Sequence, residues 1–144
     1  MRIGIDAQYF GPKDKGLGRY TQELVKNLKN IDHTNQYFVF SQKLSFLKRQ
    51  LFLPIKLKKS KLDLMHFTYF NVPIFYRGKF IVTIHDLNFS HVNFLKRLIY
   101  RIVLKSALKR AEKIIAVSEF TKNEILSHYK INPEKIIVIY EGVS

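Results

Sequence analysis

Short apolar runs along this chain alternate with longer segments whose apolar residues recur every three or four positions. The first run, Arg2 to Asp6, reads as a short buried strand. A loop from Ala7 to Lys15 follows, broken by Gly11 and Pro12. From about Gly16 to Asn30 the residues Leu17, Tyr20, Leu24, Val25 and Leu28 keep helical spacing, which predicts an amphipathic helix. Tyr37 to Ser41 reads as a second strand. The stretch from Lys43 to Lys61 is rich in Lys and Leu and is interrupted by Pro54, so the pattern supports only a short helix there.

Leu62 to Phe67 suggests a third strand. Phe80 to Ile84 is a fourth, in which Ile81 and Val82 favour the pleated form. His91 to Glu112 carries the longest helical pattern, and Phe94, Leu95, Leu98, Ile99, Ile102 and Val103 give it a wide apolar face. Lys113 to Val117 has no alternation, as expected of a parallel strand buried on both faces. Phe120 to Tyr129 reads as a helix, Asn132-Pro133 as a turn, and Lys135 to Tyr140 as the last strand. This βαβ alternation predicts an α/β fold, a Rossmann-like parallel sheet flanked by helices on both faces. Ligands of such sheets bind beyond the carboxyl ends of the strands. The segments to search are therefore Asp6 to Gly18, Phe67 to Arg77, His85 to His91 and Ser118 to Lys122.

The length of 144 residues fits one domain, able to bury roughly 70% of its unfolded surface. A composition of 47% hydrophobic and 25% charged residues is that of a globular chain. The absence of cysteine excludes disulfides, thiolate metal sites and thiol catalysis. The amino terminus does not read as a signal peptide, and no window approaches the ~20 apolar residues needed to span a bilayer. The expected location is the cytoplasm, with peripheral contact at the inner face of the membrane left open. A net charge of +14 favours polyanions: nucleic acid, anionic lipid or phosphorylated substrates. No nucleic-acid motif accompanies it, so specific nucleic-acid binding is not expected.

Three segments carry candidate chemistry. Gly16 and Gly18 open the first helix after a strand, where backbone N–H groups face an anion or, alternatively, glycine serves close packing. The third glycine of a dinucleotide fingerprint is Thr21, and no acid ends the second strand, so a nicotinamide cofactor is not expected. His85 ends the fourth strand; it suits hydrogen bonding to a sugar hydroxyl or proton transfer, or else a structural pairing with Asp86 or a backbone carbonyl. Ser118 to Glu124 opens a helix; Thr121 and Glu124 have capping-box spacing, and Ser118 is an alternative cap. With Lys122 the same helix start could hold phosphate, capping alone being the plainer reading. His33, His66, His91 and His128 have no metal-site spacing, and no metal or cofactor is expected. The basic run from Lys96 to Arg110 admits two readings, a helix on anionic lipid or a sheet-packed helix with a solvated basic rim.

Five stretches in order resemble the N-terminal domain of GT-B glycosyltransferases of the retaining, family 4 type. They are MRIGIDAQYF with GLGRYTQELVKNL, LDLMHFTYFNVP, KFIVTIHDL, AEKIIAVSEFTKNEI and PEKIIVIYEGVS. The resemblance implies two Rossmann-like domains across a cleft, with residues 1–144 as the acceptor-side domain and a nucleotide-sugar domain bearing Glu-x7-Glu missing from this chain. It implies that Gly16 and Gly18 approach the donor diphosphate, that His85 contacts the transferring sugar, and that Ser118, Thr121 and Lys122 line the cleft. Arg19 and Asp86 fall on the acceptor side. Lys15 stands where many members have a further glycine, and Tyr140 to Ser144 stand where Pro-Asn-Gly-Val-Asp is common.

The implied reaction moves a hexosyl group from a nucleotide sugar to a saccharide or lipid-linked acceptor, without metal, and the isolated chain is expected to be inactive. A separate polypeptide supplying the second domain, a truncated fragment, and a non-catalytic basic module for phosphorylated lipid or membrane all stay open.

Overall fold

The computed structural model describes residues 1–10 and 15–142. The breakers Gly11 and Pro12 and the terminal Val143-Ser144 lie outside the described residues. Six strands form one parallel sheet: β1 (Arg2–Asp6), β2 (Gln36–Phe40), β3 (Leu64–Phe67), β4 (Phe80–Ile84), β5 (Lys113–Ala116) and β6 (Ile136–Val138), in the order β2-β1-β3-β4-β5-β6. The helices are α1 (Lys15–Ile31), α2 (Phe46–Lys59), α3 (Phe94–Arg110) and α4 (Glu119–His128), with a 3₁₀ turn at Pro133–Lys135. The fold is the Rossmann-like α/β sheet that the pattern predicts.

Successive side chains of a strand point to opposite faces. Phe80, Val82 and Ile84 join the core with Leu53 and Leu57 of α2, Leu104 and Leu108 of α3, and Ile125 of α4. Thr83, between them, instead meets Tyr20 of α1. So α2, α3 and α4 cover one face and α1 covers the other. The direction of the chain reverses between β1 and β3, because β1 leads outward to β2 and the rest of the sheet is built on the opposite side. A parallel sheet opens a crevice at such a reversal, beyond the carboxyl ends of the strands.

Two expectations are corrected. The stretch from Lys43 to Lys61 holds a helix of 14 residues that runs through Pro54. Pro removes one hydrogen bond and is costly in a helix interior. Here Arg49, Gln50, Leu53 and Leu57 are all buried from one side of the helix, and that packing outweighs the local penalty.

The second correction concerns α3. Its buried residues are Val103, Leu104, Ala107 and Leu108. Of the apolar face named from the pattern only Val103 is inside; Phe94, Leu95, Leu98, Ile99 and Ile102 are exposed. At about 100° per residue the two sets lie on opposite sides of the helix. The helix is apolar twice over, and periodicity alone does not say which side meets the sheet. Arg97 and Arg110 are structural: Arg97 donates to the carbonyls of Phe89 and Val92, and Arg110 to those of Tyr76 and Pro73.

Candidate functional site

The carboxyl ends of β1, β3, β4 and β5 and the start of α1 meet at the crevice. Thr68, just past β3, donates from Oγ1 to the Asp6 carbonyl at 2.8 Å and thereby ties β3 to β1 at the reversal point. The Thr21 hydroxyl of α1 lies 3.3 Å from Thr68 Oγ1 and also reaches the Leu17 carbonyl. These bonds hold the first turn of α1 over the strand ends. Lys15, the first residue of that helix, has φ of 50°, in the left-handed region that favours glycine. The glycine usual there in the resembled family therefore has a backbone reason, and Lys15 occupies the same conformation with a side chain.

Gly16 is exposed, and a Cβ built on it meets nothing within 4 Å. Close packing therefore does not account for it, and the absence of a side chain leaves the first turn of α1 open to a ligand. Gly18, by contrast, is buried on the sheet side of α1. Arg19 is exposed on the same helix.

His85 stands at the centre. Its Nε2 lies 2.9 Å from the Thr68 carbonyl, which only accepts, so Nε2 carries a proton and donates. Its Nδ1 lies 2.9 Å from Glu141 Oε1, and Tyr20 packs edge-on against the ring at 4.7 Å between centroids. The structural pairing with a carbonyl is thus present. The carboxylate partner is Glu141 rather than Asp86, whose Oδ1 accepts from the Asn88 amide in the following turn. Both His85 nitrogens are engaged, and release of the half-exposed Glu141 carboxyl would free Nδ1.

Beneath His85 runs a buried polar chain. The Tyr20 hydroxyl and His66 Nε2 both meet Thr83 Oγ1, at 3.2 and 2.8 Å. Burial lowers the His66 pKa to about 4, with a further lowering from nearby His85, so His66 is neutral at neutral pH. Burial likewise raises the Tyr20 phenol. The unfolded chain takes up a proton on His66 near pH 6.5 while the folded chain does not. Stability from this residue is therefore complete above pH 6.5, falls as pH drops from 6.5 to about 4, and levels off below that. The expected loss is about 3 kcal/mol across that window. Urea titrations at pH 7 and pH 4.5 check it: the gap between them should narrow by more than half in a His66→Gln variant.

Ser118 caps α4, its Oγ accepting from the Thr121 amide at 3.1 Å. Capping therefore falls to Ser118, not to the Thr121–Glu124 pair. The Thr121 hydroxyl donates to the His85 carbonyl at 3.3 Å, so α4 is fastened directly to the end of β4. Lys122 is half-buried in the same turn. Hence Ser118 and Thr121 meet His85 at the end of β4, Gly16 lies exposed at the start of α1, Gly18 is buried, and Asp86 accepts from the Asn88 amide. Among the described residues no three His, Asp or Glu side chains gather as a metal site.

Several participants were not selected from the sequence. Thr68, Tyr69 and Tyr9 lie in segments marked as following strands, where that position was the only signal. Tyr9 and Tyr69 meet edge-on at 5.2 Å and offer an aromatic surface at the β1 and β3 ends. Glu141 falls where the sequence departs from the family's Asn.

The Glycosyltransferase Family 4 profile matches residues 34–144. Over 65 residues the chain is 32% identical to the O-antigen chain mannosyltransferase RfbU of Salmonella typhimurium, covering 44% of this chain and 18% of that protein. The fold superposes on Anabaena Alr3699/HepE in complex with UDP-glucose with a TM-score of 0.68 at 18% identity, over 99% of this chain and 44% of that one. The same protein in complex with UDP gives a TM-score of 0.63 at 16% identity, again over 99% and 44%. The chain thus spans less than half the length of either relative, and at these identities the structural likeness speaks for the fold. The profile match over most of its length shows that the chain belongs to Glycosyltransferase Family 4.

Proposed function

We propose that this chain is the acceptor-side half of a retaining glycosyltransferase, acting with a nucleotide-sugar domain that lies outside the 144 residues. The reaction is transfer of a hexosyl group from a nucleotide sugar to a saccharide or lipid-linked acceptor. The observation that carries this reading is the convergence of His85, the open first turn of α1 at Gly16, and the Ser118–Thr121 turn on one crevice of a family 4 fold. That RfbU is an O-antigen mannosyltransferase fits a role in polysaccharide assembly.

Each part has a physical task. The amides of the α1 start, with the helix dipole, stabilise negative charge developing on the leaving diphosphate. His85 Nδ1, once Glu141 has turned away, hydrogen-bonds a hydroxyl of the transferring sugar. The Tyr9–Tyr69 surface, with Arg19, holds the acceptor sugar by its apolar face and hydroxyls.

Mixing the purified chain with a partner Rossmann-like domain bearing Glu-x7-Glu, and supplying a panel of labelled nucleotide sugars with a membrane-lipid extract, tests this. Label should pass to saccharide or lipid only when both domains are present. Turnover by the 144-residue chain alone, or none with any partner, would count against the reading.

A further inference from the structure

The outward sides of α2 and α3 are the part of the surface that the catalytic reading leaves unexplained. On α3 the exposed set Phe94, Leu95, Leu98, Ile99 and Ile102 occupies the side opposite the core, with Phe94 77% and Leu95 65% accessible. On α2 the exposed set is Leu47, Leu51, Phe52 and Ile55, again opposite its buried residues. The two helices are neighbours, since Phe46 of α2 and Tyr100 of α3 meet with ring centroids 5.9 Å apart. An apolar surface of this extent, built from two adjacent helices, is unusual on a lone soluble domain and marks an interaction site.

The charges on the two helices are of one sign, and Glu124 of α4 is an acid that shares a pocket with Arg101, Ile102 and Lys105 at the edge of this face. α2 carries five Lys and Arg and α3 carries six, and neither holds a single Asp or Glu. They supply eleven of the chain's 25 basic residues and none of its 11 acids. With Arg49, Arg97 and Arg110 committed to internal hydrogen bonds, Lys48, Lys56, Lys58, Lys59, Lys96, Arg101, Lys105 and Lys109 remain on the outside. Lys105 and Lys109 continue the apolar stripe of α3 towards its carboxyl end. Beside α2 lies a groove of about 600 Å³ with Leu51, Ile55 and Phe75 along it, rimmed by Lys58, Lys61 and Arg77 and by no acid.

We infer that the outer faces of α2 and α3 dock on an anionic lipid bilayer, the aliphatic and aromatic side chains entering the headgroup–acyl boundary and the lysines meeting lipid phosphates. Apolar side chains ringed by cations on a surface helix suit that boundary. No helix among the described residues is long and apolar enough to cross a membrane, so the contact is peripheral. A second copy of the chain is a poorer occupant, because a two-fold interface would set the same basic residues against each other in a molecule of charge +14. Both helices start near the carboxyl ends of the strands, so docking brings the crevice close to the headgroups. The inference is independent of glycosyl transfer and is tested without donor or acceptor.

The full chain is floated with vesicles of phosphatidylcholine alone and of phosphatidylcholine mixed with phosphatidylglycerol. Recovery is expected with the mixed vesicles and should fall as salt is raised. Leu98→Ser/Ile102→Ser should weaken the partition roughly 30-fold at every salt concentration. Lys105→Gln/Lys109→Gln should weaken it by a similar factor at low salt only, at about fivefold per lysine. All four positions are exposed, so circular dichroism should be unchanged. Equal recovery from both vesicle types, recovery from neither, or double variants that bind like the parent would overturn the inference. So would a dimer in sedimentation equilibrium that Leu98→Ser/Ile102→Ser dissolves while vesicle binding is absent, which would assign the face to a protein partner.

Discussion

Replacing Arg49 with Met is expected to lower the unfolding free energy by about 3–5 kcal/mol. Arg49 is 2% exposed and Asp6 3%. The guanidinium holds both Asp6 carboxylate oxygens, NH1 to Oδ1 at 3.2 Å and NH2 to Oδ2, and its Nε donates to the Asn71 carbonyl at 2.9 Å. Next to it, Gln50 donates to Asn71 Oδ1 and accepts from the Ile74 amide. One helix turn of α2 thereby fastens the end of β1 to the segment that follows β3. Met fills the volume but leaves the buried Asp6 carboxylate with only the Gln8 amide, 3.4 Å from Oδ1, and takes the Arg49 donor from the Asn71 carbonyl. The cost is the desolvation of those groups, not the net worth of the pair.

That distinction has a measurable consequence. Asp6→Leu/Arg49→Met removes both charges and should lie well above the single variant in stability, close to the parent. Urea denaturation of the four proteins in the cycle checks the sign, and the single variant should melt on the order of 10 °C lower. Single and double variants of equal stability would mean that Asp6 is rehydrated when Arg49 is lost.

The strand elements were legible because parallel strands buried on both faces read as short unbroken apolar runs. Phe80–Ile84 and Arg2–Asp6 fall where the pattern puts them. The sheet's binding end was legible for a topological reason, since chemistry collects after strands whatever the residues are. Two helices defeated the pattern for different reasons. In α2 the buried positions include Arg49 and Gln50, polar residues that no hydrophobic count assigns to a core. In α3 two apolar stripes oppose each other, and the larger one faces outward. A chain whose only core partner is its own sheet would carry one stripe; the second belongs to something else.

The site was legible by segment but not by pairing. His85 was selectable from its place after β4, whereas its partners Thr68 and Glu141 lie 17 and 56 residues away and no spacing rule links them. The same holds for the His66–Thr83–Tyr20 chain, whose members sit on three separate elements. Ordered motifs locate strand ends; side-chain contacts between them appear only once the sheet order is known.

The second large effect expected is on His85, in the two-domain enzyme proposed above. His85→Ala should lower kcat roughly 100- to 1,000-fold, as loss of one hydrogen-bonding group held at a reacting sugar does, with a much smaller change in KM for the acceptor. The ring is prepared for this. Its Nε2–H is spent on the Thr68 carbonyl and its face is held by Tyr20, which fixes the direction of Nδ1. Only Nδ1 has a partner that can leave, because Glu141 is half-exposed and lies beyond the last strand. A rival account makes His85 a tether for the segment around Glu141. Glu141→Gln separates the two, since it weakens the tether and leaves Nδ1 in place. If His85 acts on the sugar, Glu141→Gln should keep kcat within a few-fold of the parent while His85→Ala does not. If both variants lose the same fraction of kcat, or if His85→Ala lowers only the melting temperature, the contact with Glu141 is what matters and the imidazole does not touch the sugar.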